Sequence, residues 1–87
     1  MYQVRIGKPF LRRVEKLPFR IQQKLGDLVQ DLQFNGPIQP QWPNFSRLGP
    51  GKYHCHLSYS WVACWYHEKG TLQIEVYYAG SRQDAPY

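Results

Sequence analysis

The sequence predicts an α+β domain of order β-α-α-β-β-β, in which two helices pack on one face of a four-stranded, mainly antiparallel sheet. Two patterns predict this architecture. Apolar residues recur at helical spacing in the first half, and in the second half they alternate with polar ones as in half-buried strands. Because both helices must bury their apolar stripes against the sheet, we expect its other face to stay open for function.

Length and composition favour one folded domain over residues 1–87. A chain of this size buries only about 60–65% of the surface that its unfolded form exposes, which leaves no room for a second core. The 43% hydrophobic and 16% aromatic content argues against disorder. No apolar run approaches the roughly 18 residues of a membrane span, and the first residues lack the apolar core of a signal peptide. We therefore expect a cytoplasmic protein without a membrane partner, with Cys55 and Cys64 as buried thiols.

The first strand and both helices are predicted within residues 2–36. Residues 2–6 alternate as a strand, and Pro9 can occupy the first turn of a helix that continues to Leu17. Pro18 can start a second helix, which Asn35-Gly36 would end, since either residue tolerates the left-handed conformation. The apolar stripe of this second helix consists of Ile21, Leu25, Leu28, Val29 and Leu32.

The remaining sequence predicts a loop and three strands. Residues 36–51 are rich in proline and glycine, so we expect an ordered loop anchored by Trp42 and Phe45. Strands are predicted at about 52–58, 60–67 and 71–79. In the last strand, the residues predicted to face the core are Leu72, Ile74, Val76 and Tyr78. The predicted core as a whole contains Ile21, Leu25, Leu28, Leu32, Tyr53, Leu57, Ile74 and Val76.

The positive charge is concentrated near the start of the chain. The net charge is +5, and the first quarter holds a single acid, Glu15. The cations of that quarter are Arg5, Lys8, Arg12, Arg13, Lys16, Arg20 and Lys24. This asymmetry indicates an anionic partner, although a solvated basic helix face would show the same pattern.

Two histidines form the most informative motif. In a strand, Tyr53 and Cys55 share the core face, whereas His54 and His56 project together from the other face, about 7 Å apart. Such imidazoles can share acid–base chemistry near neutral pH. In the last strand Glu75 points to the same side, and Arg82 and Tyr87 follow it. The alternative is that the histidines are solvated polar residues and that Glu75 is a cross-strand ion-pair partner.

A zinc site is a further alternative, because His54 and His56 could supply two ligands from one strand. The third ligand is missing, since Cys55 faces the other way and His67 lies at the far end of the next strand. Catalytic zinc sites need three protein ligands, so we expect neither a metal nor another cofactor.

Three segments, 48–57, 77–82 and 85–87, resemble the RelE/ParE toxin superfamily, and the resemblance extends over essentially the whole chain. The chain is most similar to RelE-like "cytotoxic translational repressor" toxins of type II toxin–antitoxin systems. In RelE-type ribonucleases, lysines stand at the positions of His54 and His56, an arginine at that of Arg82 and a tyrosine at that of Tyr87. A second arginine of that family falls at Ser60 or Trp61, so one phosphate-binding cation is missing here.

The resemblance implies a metal-independent endoribonuclease that cleaves mRNA on the ribosome and is neutralised by a cognate antitoxin. His54 and His56 would carry protons, with Glu75 as the other candidate base, while Arg82 would stabilise charge and Tyr87 would stack on a base. The expected RNA-binding residues are Arg12, Arg13, Lys16, Arg20, Lys24 and Lys52. Two alternatives stay open: a ParE-like inhibitor of DNA gyrase, which shares the fold, and a catalytically inert protein that binds nucleic acid or an antitoxin.

Overall fold

The computed structural model of the protein describes residues 1–87 and shows two helices and a five-stranded sheet. The elements are β1 (Gln3–Ile6), α1 (Lys8–Glu15), α2 (Phe19–Asn35), β2 (Ser46–Gly49), β3 (Lys52–Ser58), β4 (Trp61–His67) and β5 (Gln73–Ser81). The strand order is β1-β5-β4-β3-β2; β1 runs parallel to β5 and the other pairs are antiparallel. The predicted α+β class is confirmed, with one strand more than expected. No helix is long and apolar enough to cross a membrane.

The additional strand, β2, lies inside the predicted loop. Two aromatic anchors hold this loop: Trp42 Nε1 donates a hydrogen bond to Asp31 Oδ2 at 2.8 Å, and Phe45 stacks on Tyr53 and Trp65. Proline lacks the N–H that a strand ladder uses, but none occurs within residues 46–49. The anchors therefore bring a stretch that can form a strand alongside β3.

The main core lies between α2 and one face of the sheet. Four residues of the α2 stripe are buried as predicted, namely Ile21, Leu25, Leu28 and Leu32, and Val29 is half-buried against them. The stripe packs against Cys55, Leu57, Ala63, Trp65, Ile74, Val76 and Ala79. Tyr53 is half-buried and packs against this cluster, and both cysteines are buried free thiols, also as predicted. Burial raises the pKa of each thiol to about 12, because the charged thiolate is poorly solvated there.

A bulge in β5 overturns part of the predicted alternation. Trp65 pairs with Val76 but Cys64 pairs with Tyr78, so Tyr77 is an extra residue in β5. A bulge shifts the side-chain alternation by one position, and Tyr78 therefore faces away from α2 rather than into the main core. The prediction for Leu72 was also wrong, because this residue precedes β5 and is 56% exposed.

The face opposite α2 is less open than predicted. Val62, Cys64 and Tyr78 form a second buried cluster there, and Phe10 of α1 packs on it with its ring 5.8 Å from that of Tyr78. Helix α1 lies along the part of β5 that β1 does not reach, and its Val14 packs against the main core. The tail segment, which we define as residues 82–87, also covers this cluster through Ala85. We call this side of the sheet the histidine face.

Candidate active site

Strand β3 places His54 and His56 together on the histidine face, as the sequence predicts. Their ring centroids are 6.0 Å apart. His54 lies opposite Ser46 of β2 on one side and Cys64 of β4 on the other, and His56 lies opposite Val62. The pair therefore sits between the added strand β2 and the second buried cluster.

His54 is almost enclosed, with 8% of its surface exposed. The Ser46 hydroxyl lies 2.9 Å from its Nδ1, and the Tyr87 ring centroid lies 4.5 Å from that of the imidazole. Burial and then the neighbouring His56 lower the pKa of His54, while a hydrogen bond with the Ser46 backbone raises it. A serine hydroxyl can accept a hydrogen bond as well as donate one, so the Ser46 contact is compatible with a hydrogen on Nδ1, a tautomer that leaves the lone pair of a base on Nε2.

His56 is half-buried beside Arg82. Burial, and then the positive charge of Arg82, lower the pKa of His56 below its ordinary value of 6.5. The Arg82 guanidinium lies over the Tyr59 ring at 5.5 Å and makes no salt bridge. The uncompensated charge of Arg82 thus favours the neutral form of the His56 imidazole.

The tail segment closes the site through a short turn. Arg82 N donates to Ser60 O at 2.8 Å, and Ala85 N donates to Arg82 O at 3.3 Å. Ser81 Oγ donates to Asp84 Oδ2 at 3.1 Å. This turn brings Tyr87 back onto His54, so two of the predicted site residues join the histidines by folding of one segment.

The two positions at which the resemblance puts a second arginine, Ser60 and Trp61, have different surroundings. Trp61 packs against the main core, whereas Ser60 lies in the turn before β4 and accepts the backbone hydrogen bond of Arg82. Ser60 and Arg82 also line a shallow depression of about 370 Å³. A cation at residue 60 would therefore adjoin Arg82, whereas a residue at position 61 belongs to the main core.

Glu75 is not brought together with the histidines. Its Oε1 lies 2.7 Å from Nη2 of Arg5, an ion pair between the parallel strands β5 and β1. Glu75 lies opposite Tyr66, which in turn lies opposite Lys52. Glu75 therefore lies in the cross-strand row next to the row that contains His54, and its strand β5 is two strands away from β3.

The expected RNA-binding cations are all exposed and make no salt bridge, but they do not form one surface. Arg13 lies over the Phe10 ring at 5.3 Å, and Lys52 precedes His54 by two residues on the histidine face. Arg20 and Lys24 instead line a groove between α2 and the β3–β4 turn. Arg12 and Lys16 are exposed at the C-terminal end of α1.

No three histidine, cysteine, aspartate or glutamate side chains converge on a point in the structure. Cys55 belongs to the core on the α2 side, and His67 bonds the Thr71 carbonyl through Nε2 at 2.9 Å. Cys64 lies opposite His54 on the histidine face, but it does not converge with His54 and His56 on one point, as the three protein ligands of a catalytic zinc site must.

Solved structures with the same fold match nearly the whole chain. A chain of the RelE–RelB complex from Pyrococcus horikoshii superposes with a TM-score of 0.75 and 14% identity, covering 97% of this chain and 98% of that one. A chain of the YoeB–YefM complex from Staphylococcus aureus gives a TM-score of 0.71 and 9% identity, with coverage of 92% and 95%. This chain has the RelE/ParE-like toxin fold. A metal-bound toxin from Helicobacter pylori shares it, with a TM-score of 0.72, 20% identity and coverage of 97% and 98%. Comparisons of the sequence with protein-family models and with curated proteins give no match.

Within this RelE-like fold, Ser46 is the site residue that the sequence reading missed. The only signal was its position before a strand-compatible stretch in a proline-rich segment, where a serine is ordinarily a turn residue. Its contact with His54 exists only because β2 pairs with β3.

Proposed function

We propose that the protein is the toxin of a toxin–antitoxin pair and acts as a metal-independent endoribonuclease that cleaves mRNA on the ribosome. One observation carries the proposal. Two imidazoles with lowered pKa values lie 6.0 Å apart on one sheet face, and the positive charge of Arg82 contributes to the lowered pKa of His56. A protein that acts only by binding has no need of convergent proton carriers beside an unpaired cation.

These residues fit cleavage by the ribose 2′-hydroxyl. His54, with its lone pair on Nε2, removes the proton of the 2′-hydroxyl, and that oxygen attacks the adjacent phosphorus. Arg82 stabilises the charge that develops on the phosphoryl oxygens. His56, in its protonated fraction, donates a proton to the departing 5′-oxygen, so that the products are a 2′,3′-cyclic phosphate and a 5′-hydroxyl end. Tyr87 stacks on a base next to the cleaved bond.

The partners follow from the charge and from the relatives. The structures with the same fold include RelE–RelB and YoeB–YefM complexes, which supports a cognate antitoxin for this chain. A carboxylate-bearing antitoxin segment would pair with Arg82 and block the site. The exposed cations of α1 and α2 would bind ribosomal RNA phosphates without choosing sequence.

Translation of a defined mRNA in an extract, followed by primer extension, tests the activity. The toxin is first stripped with a chelator and dialysed, so that the ribosomes keep their magnesium. We expect cuts within the translated region, and none with a His54→Ala/His56→Ala double variant. Intact mRNA together with inhibited plasmid supercoiling would support the gyrase inhibitor instead, and intact mRNA with normal supercoiling would support an inert protein.

Growth of cells tests the partner. Expression of the chain alone should arrest growth, and co-expression of a small open reading frame adjacent to its gene should restore it. Absence of both toxicity and rescue would contradict the assignment as a toxin.

A further inference from the structure

A second concave site lies on the histidine face and is not used by the proposed reaction. It is a groove of about 800 Å³ bordered by β1, β5, β4 and β3. Tyr66, which is 39% exposed, and the half-buried Tyr77 contribute aromatic surface. Its volume falls in the range of roughly 300–1,000 Å³ typical of small-molecule sites.

The groove begins one row of the sheet away from the histidines. Lys52 and Tyr66 lie opposite each other in β3 and β4, and the next row on the same face is His54 and Cys64. Two residues along a strand span about 7 Å. A chain molecule bound across His54 therefore reaches the groove directly, without crossing an edge of the sheet.

The groove carries one ion pair and two unpaired charges of opposite sign. Arg5 neutralises Glu75 through a 2.7 Å ion pair, whereas Lys52 and Glu68 make no salt bridge. Gln3, Gln73 and Glu68 also line the groove, and their side chains make no hydrogen bond. The groove thus offers phenol rings, one cation and spare donors and acceptors, which suit a flat ligand with polar edges and a single negative charge.

We propose that this groove binds a second nucleotide of the RNA strand that crosses the histidine site, with its base on Tyr66 and its phosphodiester on Lys52. The proposal rests on the proposed function, because the two sites would hold one strand. Stacking on an aromatic ring tolerates any base, and one lysine suits the single charge of a phosphodiester. A free nucleoside triphosphate fits less well, since Glu68 would repel its additional charges.

Binding of oligonucleotides that carry a 2′-deoxyribose at every position tests the subsite, since they cannot be cleaved by a 2′-hydroxyl. Fluorescence anisotropy is measured with oligonucleotides lengthened one nucleotide at a time, separately at each end. For the parent protein, the affinity should rise abruptly when one particular nucleotide is added at one end of the oligonucleotide, and we call this rise the step. Tyr66→Ala should lose that step, a change on the order of tenfold, and Tyr66→Phe should keep it.

Two further variants control the result. Phe34→Ala removes an aromatic side chain that is more exposed than Tyr66, at 66% on α2, and should leave the step in place. In Lys52→Ala, the plot of log affinity against log salt concentration should be shallower, by about the slope that one phosphate contact contributes. This measurement tests the subsite even if Tyr66→Ala does not fold.

Equal gains at both ends, or a step that survives in Tyr66→Ala, would overturn the subsite. So would a nucleoside monophosphate that binds as tightly as the longest oligonucleotide. The mRNA cleavage assay is read separately. Cleavage without a step would refute only the subsite, whereas a step without cleavage would refute the ribonuclease and leave a nucleic-acid groove.

Discussion

The two histidines differ in what surrounds them. His54 is enclosed by Ser46 and Tyr87, whereas His56 is half-buried and feels the charge of Arg82. Desolvation is the main cause of the lowered pKa of both rings. At neutral pH both are therefore mostly uncharged, which suits proton removal and leaves Arg82 as the fixed positive charge of the site.

Removal of either imidazole should slow RNA cleavage strongly. We expect His54→Ala and His56→Ala each to lose on the order of 10²–10⁴ in single-turnover rate, because proton transfer contributes that much, and Arg82→Ala to lose a comparable factor. His67→Gln is the matched control, since His67 lies at the far end of β4. If both variants cleave at the parent rate, the histidine pair does not carry the protons.

The cleavage rate should be bell-shaped in pH. A base with a lowered pKa must be unprotonated to act, so the acid limb should lie below pH 6.5, the ordinary value for histidine. The rate should rise with pH through this limb and fall again as the proton donor loses its proton. The limb should disappear in His54→Ala, and an unchanged limb in that variant would contradict the role of His54 as the base.

Ser46 should act through His54 rather than on RNA. Its hydroxyl lies 2.9 Å from Nδ1, and Ser46→Ala removes this contact but keeps the backbone hydrogen bond that raises the pKa of His54. We therefore expect a rate loss of about tenfold or less, in line with one hydrogen bond that orients the ring, and an acid limb that stays in place. Ser46→Thr should restore the rate. An unchanged rate in Ser46→Ala would contradict this role.

At the scale of the elements, local patterns were predictable and long-range pairings were not. Helix α2 was predicted because its apolar spacing is a property of consecutive residues. Strand β2 was not, since residues 46–49 lack alternation and join the sheet only after Trp42 and Phe45 have anchored the loop. The partnership of Arg5 with Glu75 likewise required the parallel pairing of β1 with β5.

The bulge at Tyr77 limited the prediction of the site as well as that of the core. Alternation from Ile74 onward places Tyr78 on the α2 side, and nothing in the sequence marks the extra residue. The placement of Tyr78 on the histidine face gives Phe10 and Ala85 a surface to pack on. The histidine pair itself was predictable, because β3 is regular from Lys52 to His56.

Shortening a buried side chain of helix α2 should lower the stability of the protein more than a similar change in any other element. Leu28 is fully buried at the centre of its stripe, so Leu28→Ala should lower the free energy of unfolding by about 2–5 kcal/mol, through lost transfer energy and a cavity. Leu11→Ala is the control, because Leu11 is 49% exposed and should change stability by roughly 0.5 kcal/mol or less. Urea denaturation measures both, and equal midpoints for the two variants would contradict this core.

For the whole molecule, the lowered histidine pKa values link folding to pH. As the pH falls, His54 and His56 bind protons near pH 6.5 in the unfolded chain but only at a lower pH in the folded protein. The corresponding part of the stability is therefore present above that pH and is lost as the pH falls through the folded-state pKa. Denaturant unfolding between neutral and mildly acidic pH should show this fall. His54→Gln should show a shallower one, and an identical slope would contradict the assignment.

The parallel pairing of β1 with β5 also orders events during synthesis. Gln3 pairs with Gln73, so the first strand has no partner in the sheet until a segment made 70 positions later is available. Contacts this distant in sequence form late in folding. Arg82 and Tyr87 are made later still. We therefore expect a nascent chain that stops before residue 73 to lack both the completed sheet and the groups of the site. If the proposed ribonuclease activity is correct, such a chain could not cleave the message from which it is being translated.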